Sequence, residues 1–291
     1  KGKYIRTLGE KEYFGERTLF KNEPRSATAI ANESAEILHI DKEDFTGIVE
    51  QNMMEYMRNR LYLQDSSLTL NELSFEAHLG SGNYGNVSLV SSKKLGNEKF
   101  CYAIKGISRN QIDYEQLHNN LELERKILLQ IDHPFIVKLV KTLKDSRFIY
   151  FLMEVVNGKE LFDVIRDIGL LTKKQAQFYG GSMLLAMEYL HERKFIYRDI
   201  KPENIMVLYK TGYIKIIDFG TAKQIEDCTN TIIGTPHYMA PEVILGGGYS
   251  FTVDIWSIAV CLYEFLCGGV PFAENAEDPS KKTNYLIFLI F

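Results

Sequence analysis

The 291-residue sequence predicts an α+β fold in two lobes, strand-rich first and helix-rich later, preceded by a smaller separate region. Three observations predict it. The polar run QDSSLTLNE, from Gln64 to Glu72, parts a helical stretch from a strand and places a boundary at about residue 66. Short runs rich in β-branched and aromatic residues then gather between Leu73 and Lys105, bounded by glycines and polar residues as strands are. Farther on the apolar residues take helical spacing, with Met183, Met187 and Leu190 at i, i+4 and i+7 marking the buried face of one helix.

Taken in order, Glu36 to Ile40 is expected to form a strand, and Asp41 to cap a helix running through Phe45, Ile48 and Val49 toward Met57 and Leu61. Leu73 to Leu79 and Val87 to Val90 are expected to be strands on either side of a glycine loop. Phe100 to Lys105 reads as a further strand and Asn119 to Gln130 as a helix. No internal repeat or low-complexity tract interrupts this order.

Composition narrows the functional classes. Against 38 acidic residues stand 34 basic ones, a formal charge of -4, so no global basic field speaks for nucleic acid or an anionic membrane. The late apolar stretch Leu286 to Phe291 is far shorter than the roughly 18 residues of a membrane span, and no basic-then-apolar segment opens the chain, so no transmembrane segment is expected. Cys101, Cys228, Cys261 and Cys267 form neither a CxxC pair nor a cluster with histidine at zinc spacing. Reduced thiols and a cytoplasmic location follow as the expectation.

The residues that carry chemistry are gathered in the second region. YRDIKPEN spans Tyr197 to Asn204 and is followed by Asp218, Phe219 and Gly220. It supplies an aspartate to stand beside a substrate hydroxyl, and an asparagine and a second aspartate as hard oxygen ligands for a cation. Upstream, Gly80, Gly82, Gly85 and Val87 give G-x-G-x-x-G-x-V, which alone suits a plain hairpin nearly as well as a phosphate loop. The context that follows is more specific: YAIK ends in Lys105, and Glu124 lies on the predicted helix after it. Phosphoryl transfer asks a protein mainly to position groups and neutralise charge, which these residue types do.

Together these motifs resemble the protein kinase signature series, with Tyr197 in place of the usual histidine as in kinases dependent on cyclic nucleotides. The resemblance implies that Lys105, paired with Glu124, holds the ATP phosphates, that Asp199 orients the substrate hydroxyl and accepts its proton, and that Lys201 neutralises the moving phosphoryl group. It also implies Mg2+ on Asn204 and Asp218, and adenine enclosed by Val87, Ala103 and Met206 with Met153 guarding the back of the pocket. Leu128, Leu139, Tyr197 and Phe219 match a hydrophobic column joining the lobes. Thr231 falls in register as the activating phosphorylation site, near Arg198 and Lys223, and Thr235 as the threonine that bonds the catalytic aspartate and lysine. Glu160, Glu203 and Glu264 match the acidic positions that hold basic residues before the target Ser or Thr. Taken singly, the glutamates read as solvated charges, Thr231 as an unmodified loop residue and Met153 as core.

The first region carries its own resemblance. FGERTLFKNEPRSATAI, Phe14 to Ile30, is similar to the phosphate-binding cassette of cyclic-nucleotide-binding domains. This implies Arg25 and backbone donors near Ala27 on the cyclic phosphate, Glu16 on the ribose 2'-hydroxyl, and Gly15 for close backbone approach. Ser26, directly after the arginine, implies cGMP over cAMP. The plainer alternative is a surface ion pair between Glu16 and Arg25.

On these grounds residues 1–65 resemble the C-terminal half of a cyclic-nucleotide-binding β-roll with its exit helix, and residues 66–291 an incomplete kinase domain. Within the latter the small lobe is expected at about 71–155, the large lobe at about 156–278 and an atypical tail at 279–291. The likeness implies a signalling transferase of the cGMP-dependent, AGC-type serine/threonine kinase family, truncated at both ends. Its implied ligands are ATP as co-substrate, Mg2+, cGMP as allosteric ligand and basic Ser/Thr peptides, with no nucleic acid. Glu242 of the MAPE sequence lacks the arginine that normally pairs with it, which predicts a less stable large lobe. Three alternatives stay open: a truncated chain that binds ATP without turnover, a cyclic-nucleotide sensor with a kinase-like scaffold, and cAMP dependence.

Overall fold

The computed structural model describes residues 8–9, 13–20, 27–64, 68–82, 85–92, 100–111 and 115–272. Arg25, Ser26 and the tail 279–291 lie outside these residues. The chain divides into two compact units, Lys1–Ser67 and Leu68–Phe291.

The described part of the first unit holds three helices: α1 (Arg17–Phe20), α2 (Lys42–Ile48) and α3 (Gln51–Leu63). Two expectations fail here. Glu36 to Ile40 forms no strand among the described residues, and Leu38 is 94% exposed. An isolated strand gains no ladder hydrogen bonds and little burial, so alternation alone does not make one. The single helix expected after Asp41 is two, broken at Val49 and Glu50, whose ψ angles of 127° and 151° are extended. Thr46 Oγ1 bonds back to the carbonyls of Lys42 (2.9 Å) and Glu43 (3.1 Å), and Gly47 follows, two features that weaken a helix end. Asp41 stands at the N-cap without a side-chain capping bond.

The second unit opens with a five-stranded antiparallel sheet. Its strands are β1 (Ser74–Gly82), β2 (Gly85–Ser92), β3 (Phe100–Ser108), β4 (Leu139–Lys144) and β5 (Phe148–Glu154), in the order β1-β2-β3-β5-β4. β3 is central and carries the buried run Tyr102, Ala103 and Ile104, with Lys105 next in line, opposite Val87 on one side and Phe151 on the other. Gly85 is required by crowding: a Cβ there would lie 2.1 Å from the carbonyl oxygen of Gly106. Helix α4 (Glu115–Gln130) crosses between β3 and β4 and buries Leu121, Glu124, Ile127 and Leu128.

From β5 the chain passes to a helical body with a small three-stranded sheet, β6 (Gly158–Glu160), β8 (Ile205–Leu208) and β9 (Ile214–Ile216), in the order β6-β8-β9. Helix α5 (Leu161–Ile168) follows β6, and α6 (Lys173–Glu192) is started by a capping box in which Thr172 and Gln175 satisfy each other's backbone N–H groups. Met183, Met187 and Leu190 of α6 are fully buried, as their spacing predicts. β7 (Phe195–Ile196) pairs with β10 (Lys223–Gln224), and α7 (Pro241–Leu245) and α8 (Thr252–Cys267) complete the described body. Leu128, Leu139, Tyr197 and Phe219 are at most 2% exposed and belong to one continuous core, with Tyr197 and Phe219 edge-to-face at 5.1 Å. Glu242 is only half-buried, so it does not carry the full cost of an unpaired charge in the interior. Among the described residues no helix is long and apolar enough to cross a membrane.

Candidate active site

The loop between β7 and β8 holds the densest cluster of functional side chains. Its backbone is pinned from beneath by Asp254 of α8, which is fully buried and accepts hydrogen bonds from the backbone N–H groups of Tyr197 (3.0 Å) and Arg198 (2.8 Å). His191 Nε2 lies 2.8 Å from the same carboxylate. Arg198 takes a positive φ of 72°, an unfavourable conformation for a non-glycine residue that those bonds sustain. Its guanidinium donates to the carbonyl of Thr221 (2.7 Å).

The pinned loop presents Asp199. Its Oδ1 accepts from Thr235 Oγ1 at 2.6 Å, and its Oδ2 accepts from Asn204 Nδ2 at 2.9 Å and lies 3.0 Å from Lys201 Nζ. Lys201 in turn donates to Thr235 Oγ1 at 2.8 Å, closing a ring of aspartate, lysine and threonine. Asn204 also donates to the Asp199 carbonyl at 2.9 Å, so its amide nitrogen is fully engaged inward and its carbonyl oxygen is the atom left for a ligand. Asp218 is exposed, and its Oδ1 accepts from the N–H of Gly220 at 3.0 Å.

Across the cleft, Lys105 Nζ lies 3.4 Å from Glu124 Oε1, with the two side chains 11% and 5% exposed. Burial pushes the Glu124 carboxyl up; Lys105 opposes that, and the negative charge of Asp218 adds to it. Asp218 is therefore close enough for its field to reach the Lys105–Glu124 pair. Val87 and Ala103 lie on β2 and β3, Met153 is the cross-strand partner of Ala103, and Met206 sits on β8 in the body below. At Gly80 a Cβ would meet nothing within 4 Å, so packing does not demand glycine there; Gly82 ends β1 opposite Gly85.

Two further groups surround this centre. Thr231 is exposed, and its carbonyl accepts from the Tyr249 hydroxyl, to which Arg198 Nη1 donates at 3.4 Å. Lys223 Nζ donates to Thr229 Oγ1 at 3.0 Å. Glu160, Glu203 and Glu264 form an acidic group: burial and the charges of Asp163 and Glu203 raise the Glu160 carboxyl, and burial and Glu203 raise that of Glu264. Glu264 accepts from the Tyr238 hydroxyl at 2.8 Å, whereas Glu203 Oε2 is buried with no hydrogen-bond partner among the described residues. In the first unit Gly15 has φ +90° with open space around its Cβ position, and Glu16 is half-buried just before α1. Asp254, Tyr249 and Tyr238 act on partners far away in sequence, a role that the residues beside them do not reveal, although Asp254 opens the kinase-like run DIWSIAV.

The donor set suits a hard cation held jointly with phosphate oxygens. Asn204 and Asp218 offer two oxygens, and no described group of three His, Cys, Asp or Glu side chains forms a cage of its own. A family model for the protein kinase domain matches residues 73–290, and one for the cyclic nucleotide-binding domain matches residues 1–52. Among curated proteins, the cGMP-dependent protein kinase of Plasmodium berghei is 50% identical over 95% of this chain and 32% of its own length. Those of Eimeria tenella and Toxoplasma gondii are 47% and 46% identical over 95% of this chain, which covers 27% and 28% of their lengths. The chain thus spans less than a third of these relatives.

Proposed function

The chain belongs to the protein kinase family, with part of a cyclic nucleotide-binding domain ahead of the kinase domain, and on that premise we propose that it transfers the γ-phosphoryl group of ATP to Ser or Thr hydroxyls in basic peptides. The observations that carry this reading are the ring of Asp199, Lys201 and Thr235 and the buried Lys105–Glu124 pair, which the charge of Asp218 reaches. Asp199 orients the peptide hydroxyl and takes its proton as the oxygen attacks the γ-phosphorus and the bond from that phosphorus to the β,γ-bridging oxygen breaks, releasing ADP. Lys201 offsets charge on the phosphoryl oxygens during transfer, and Lys105 holds the phosphates with Glu124 fixing its ammonium. Asn204 and Asp218 would hold Mg2+, which when bound neutralises phosphate charge. Val87, Ala103, Met153 and Met206 enclose the adenine.

Glu160, Glu203 and Glu264 give the preference for basic peptides. A guanidinium among them satisfies the buried Glu203 oxygen and offsets the burial, and with it the Glu203 charge, that raise the Glu160 and Glu264 carboxyls. Phosphate on Thr231 would add roughly -1.5 to -2 charges beside Arg198 and Lys223, binding the segment more tightly to the body. Regulation by cGMP is supported by the likeness to cGMP-dependent protein kinases and by the first unit's family match, with Gly15, Glu16, Arg25 and Ser26 as the residues that would contact the nucleotide. The four free cysteines agree with a reducing, cytoplasmic compartment.

The test is transfer from Mg-ATP to an arginine-rich Ser peptide and to the same peptide with its arginines replaced by glutamine, each with and without cGMP. Turnover of the first peptide only, raised by cGMP, is expected. ATP binding with no turnover of either peptide would overturn the reading.

A further inference from the structure

Beside the nucleotide cleft, the interior of the second unit holds an ion pair with no part in the chemistry described above. Lys215 is 7% exposed, and its ammonium lies 2.8 Å from Glu154 Oε2 and donates to the carbonyl of Ile136 at 3.3 Å. The same Glu154 oxygen accepts from the backbone N–H of Lys138 at 3.3 Å, and the Glu154 N–H donates back to the Lys138 carbonyl at 2.9 Å. Replacing a buried pair by apolar side chains is often neutral or stabilising, so stability alone is a weak reason for this one.

Its position supplies a better reason. Glu154 is the last residue of β5, where the chain leaves the five-stranded sheet for the helical body, and it follows Met153, the partner of Ala103. Lys215 lies in β9 directly opposite Met206, on the strand that leads to Asp218. The segment at Ile136 to Lys138 is stitched to the same strand, since Val137 N–H donates to the Ile216 carbonyl at 3.0 Å. One ammonium therefore ties together the crossover between the lobes, the connection after α4 and the strand beneath the cleft. These three pieces carry or adjoin the residues that enclose the adenine.

We propose that Lys215 and Glu154 form a positioning pair that fixes the interlobe crossover against the floor of the nucleotide cleft, and thereby sets affinity for adenine nucleotide. The inference rests on the kinase reading above. Neither residue touches the phosphates; both act through Met153 and Met206.

The experiment measures the Kd of a fluorescent Mg-ATP analogue and the peptide KM on the full chain, for wild type, Lys215→Gln, Glu154→Gln, the double variant and Lys215→Arg. Each single glutamine substitution is expected to raise the nucleotide Kd by about tenfold while the peptide KM moves by less than about twofold. The double variant is expected to match the singles, because the two residues act as one unit. Lys215→Arg, which keeps charge and reach, should stay within about threefold of wild type. Simple loss of fold lowers the bound fraction without changing Kd, and Glu154→Gln carries the test should Lys215→Gln not fold. An unchanged Kd in the folded single variants, or additive effects in the double, overturns this proposal alone. No nucleotide binding by wild type overturns the kinase reading and this proposal with it.

Discussion

Leu38 in the first unit is 94% exposed and Met187 in the second is 0% exposed, although both lie in stretches whose pattern reads as one face of a regular element. The difference lies in what surrounds them. Around Met187, α6 packs into a core that continues from Leu121 of α4 to Phe265 of α8. Around Leu38, the described residues offer neither a paired strand nor an apolar layer, and Ile30, Ile37 and Ile48 are exposed as well. A periodic pattern states which face seeks burial; it does not supply the surface against which to bury it.

That contrast can be broken or sharpened by substitution. The largest effect is expected at Lys105→Met, which removes the cation of the cleft and should lower phosphoryl transfer by at least about a hundredfold, measured as initial rate with saturating peptide. Next comes Met187→Ala, which leaves a cavity in the continuous core and should cost the second unit about 2–5 kcal/mol in denaturant unfolding. Glu264→Gln should raise the KM for an arginine-rich peptide by about tenfold and at the same time raise Tm at neutral pH. The sign follows from burial, which raises the Glu264 carboxyl: its contribution to stability is fully present below its ordinary value of 4.5 and lost as pH rises through the folded pKa. The stabilisation by glutamine should therefore vanish in acid.

His133 provides the opposite slope. Burial first, then the charges of Lys215 and Arg193 against that of Asp132, lower its imidazole from 6.5 to about 4, and its Nδ1 accepts from the Phe135 N–H at 3.2 Å. The neutral ring's contribution is present above 6.5 and lost as pH falls from there toward 4, so His133→Phe should flatten the fall of Tm across that window. The smallest effect belongs to the first unit: Leu38→Ser should change unfolding of the second unit by less than about 0.5 kcal/mol. A loss comparable to that of Met187→Ala would show that Leu38 is covered in solution.

Legibility in the sequence followed the same division. The helix face of Met183, Met187 and Leu190 and the strands from Leu73 to Lys105 were readable because each forms by local pattern and then finds a partner. The ring around Asp199 was readable because Asp199, Lys201 and Asn204 share one short loop, and Lys105 and Glu124 because they follow a glycine loop in a recognisable order. Asp254 was legible as the first residue of the kinase-like run DIWSIAV but not as the support of that loop, since the run carries no mark of the N–H groups it meets at Tyr197 and Arg198. Nor was the Glu154–Lys215 pair, whose members look like ordinary strand-edge charges until β5 and β9 are brought together. The segment Glu36 to Ile40 shows the complementary case: its alternation suits a strand, and no strand forms there among the described residues.

The central claim is that Asp199 acts on the peptide hydroxyl in the second unit while other groups bind the nucleotide, and Asp199→Asn tests it most directly when Mg-ATP binding and single-turnover phosphoryl transfer are measured on the same preparation. The account predicts a nucleotide Kd within about threefold of wild type and a transfer rate lower by about 10²-fold or more. Transfer at the wild-type rate by the folded variant would contradict it.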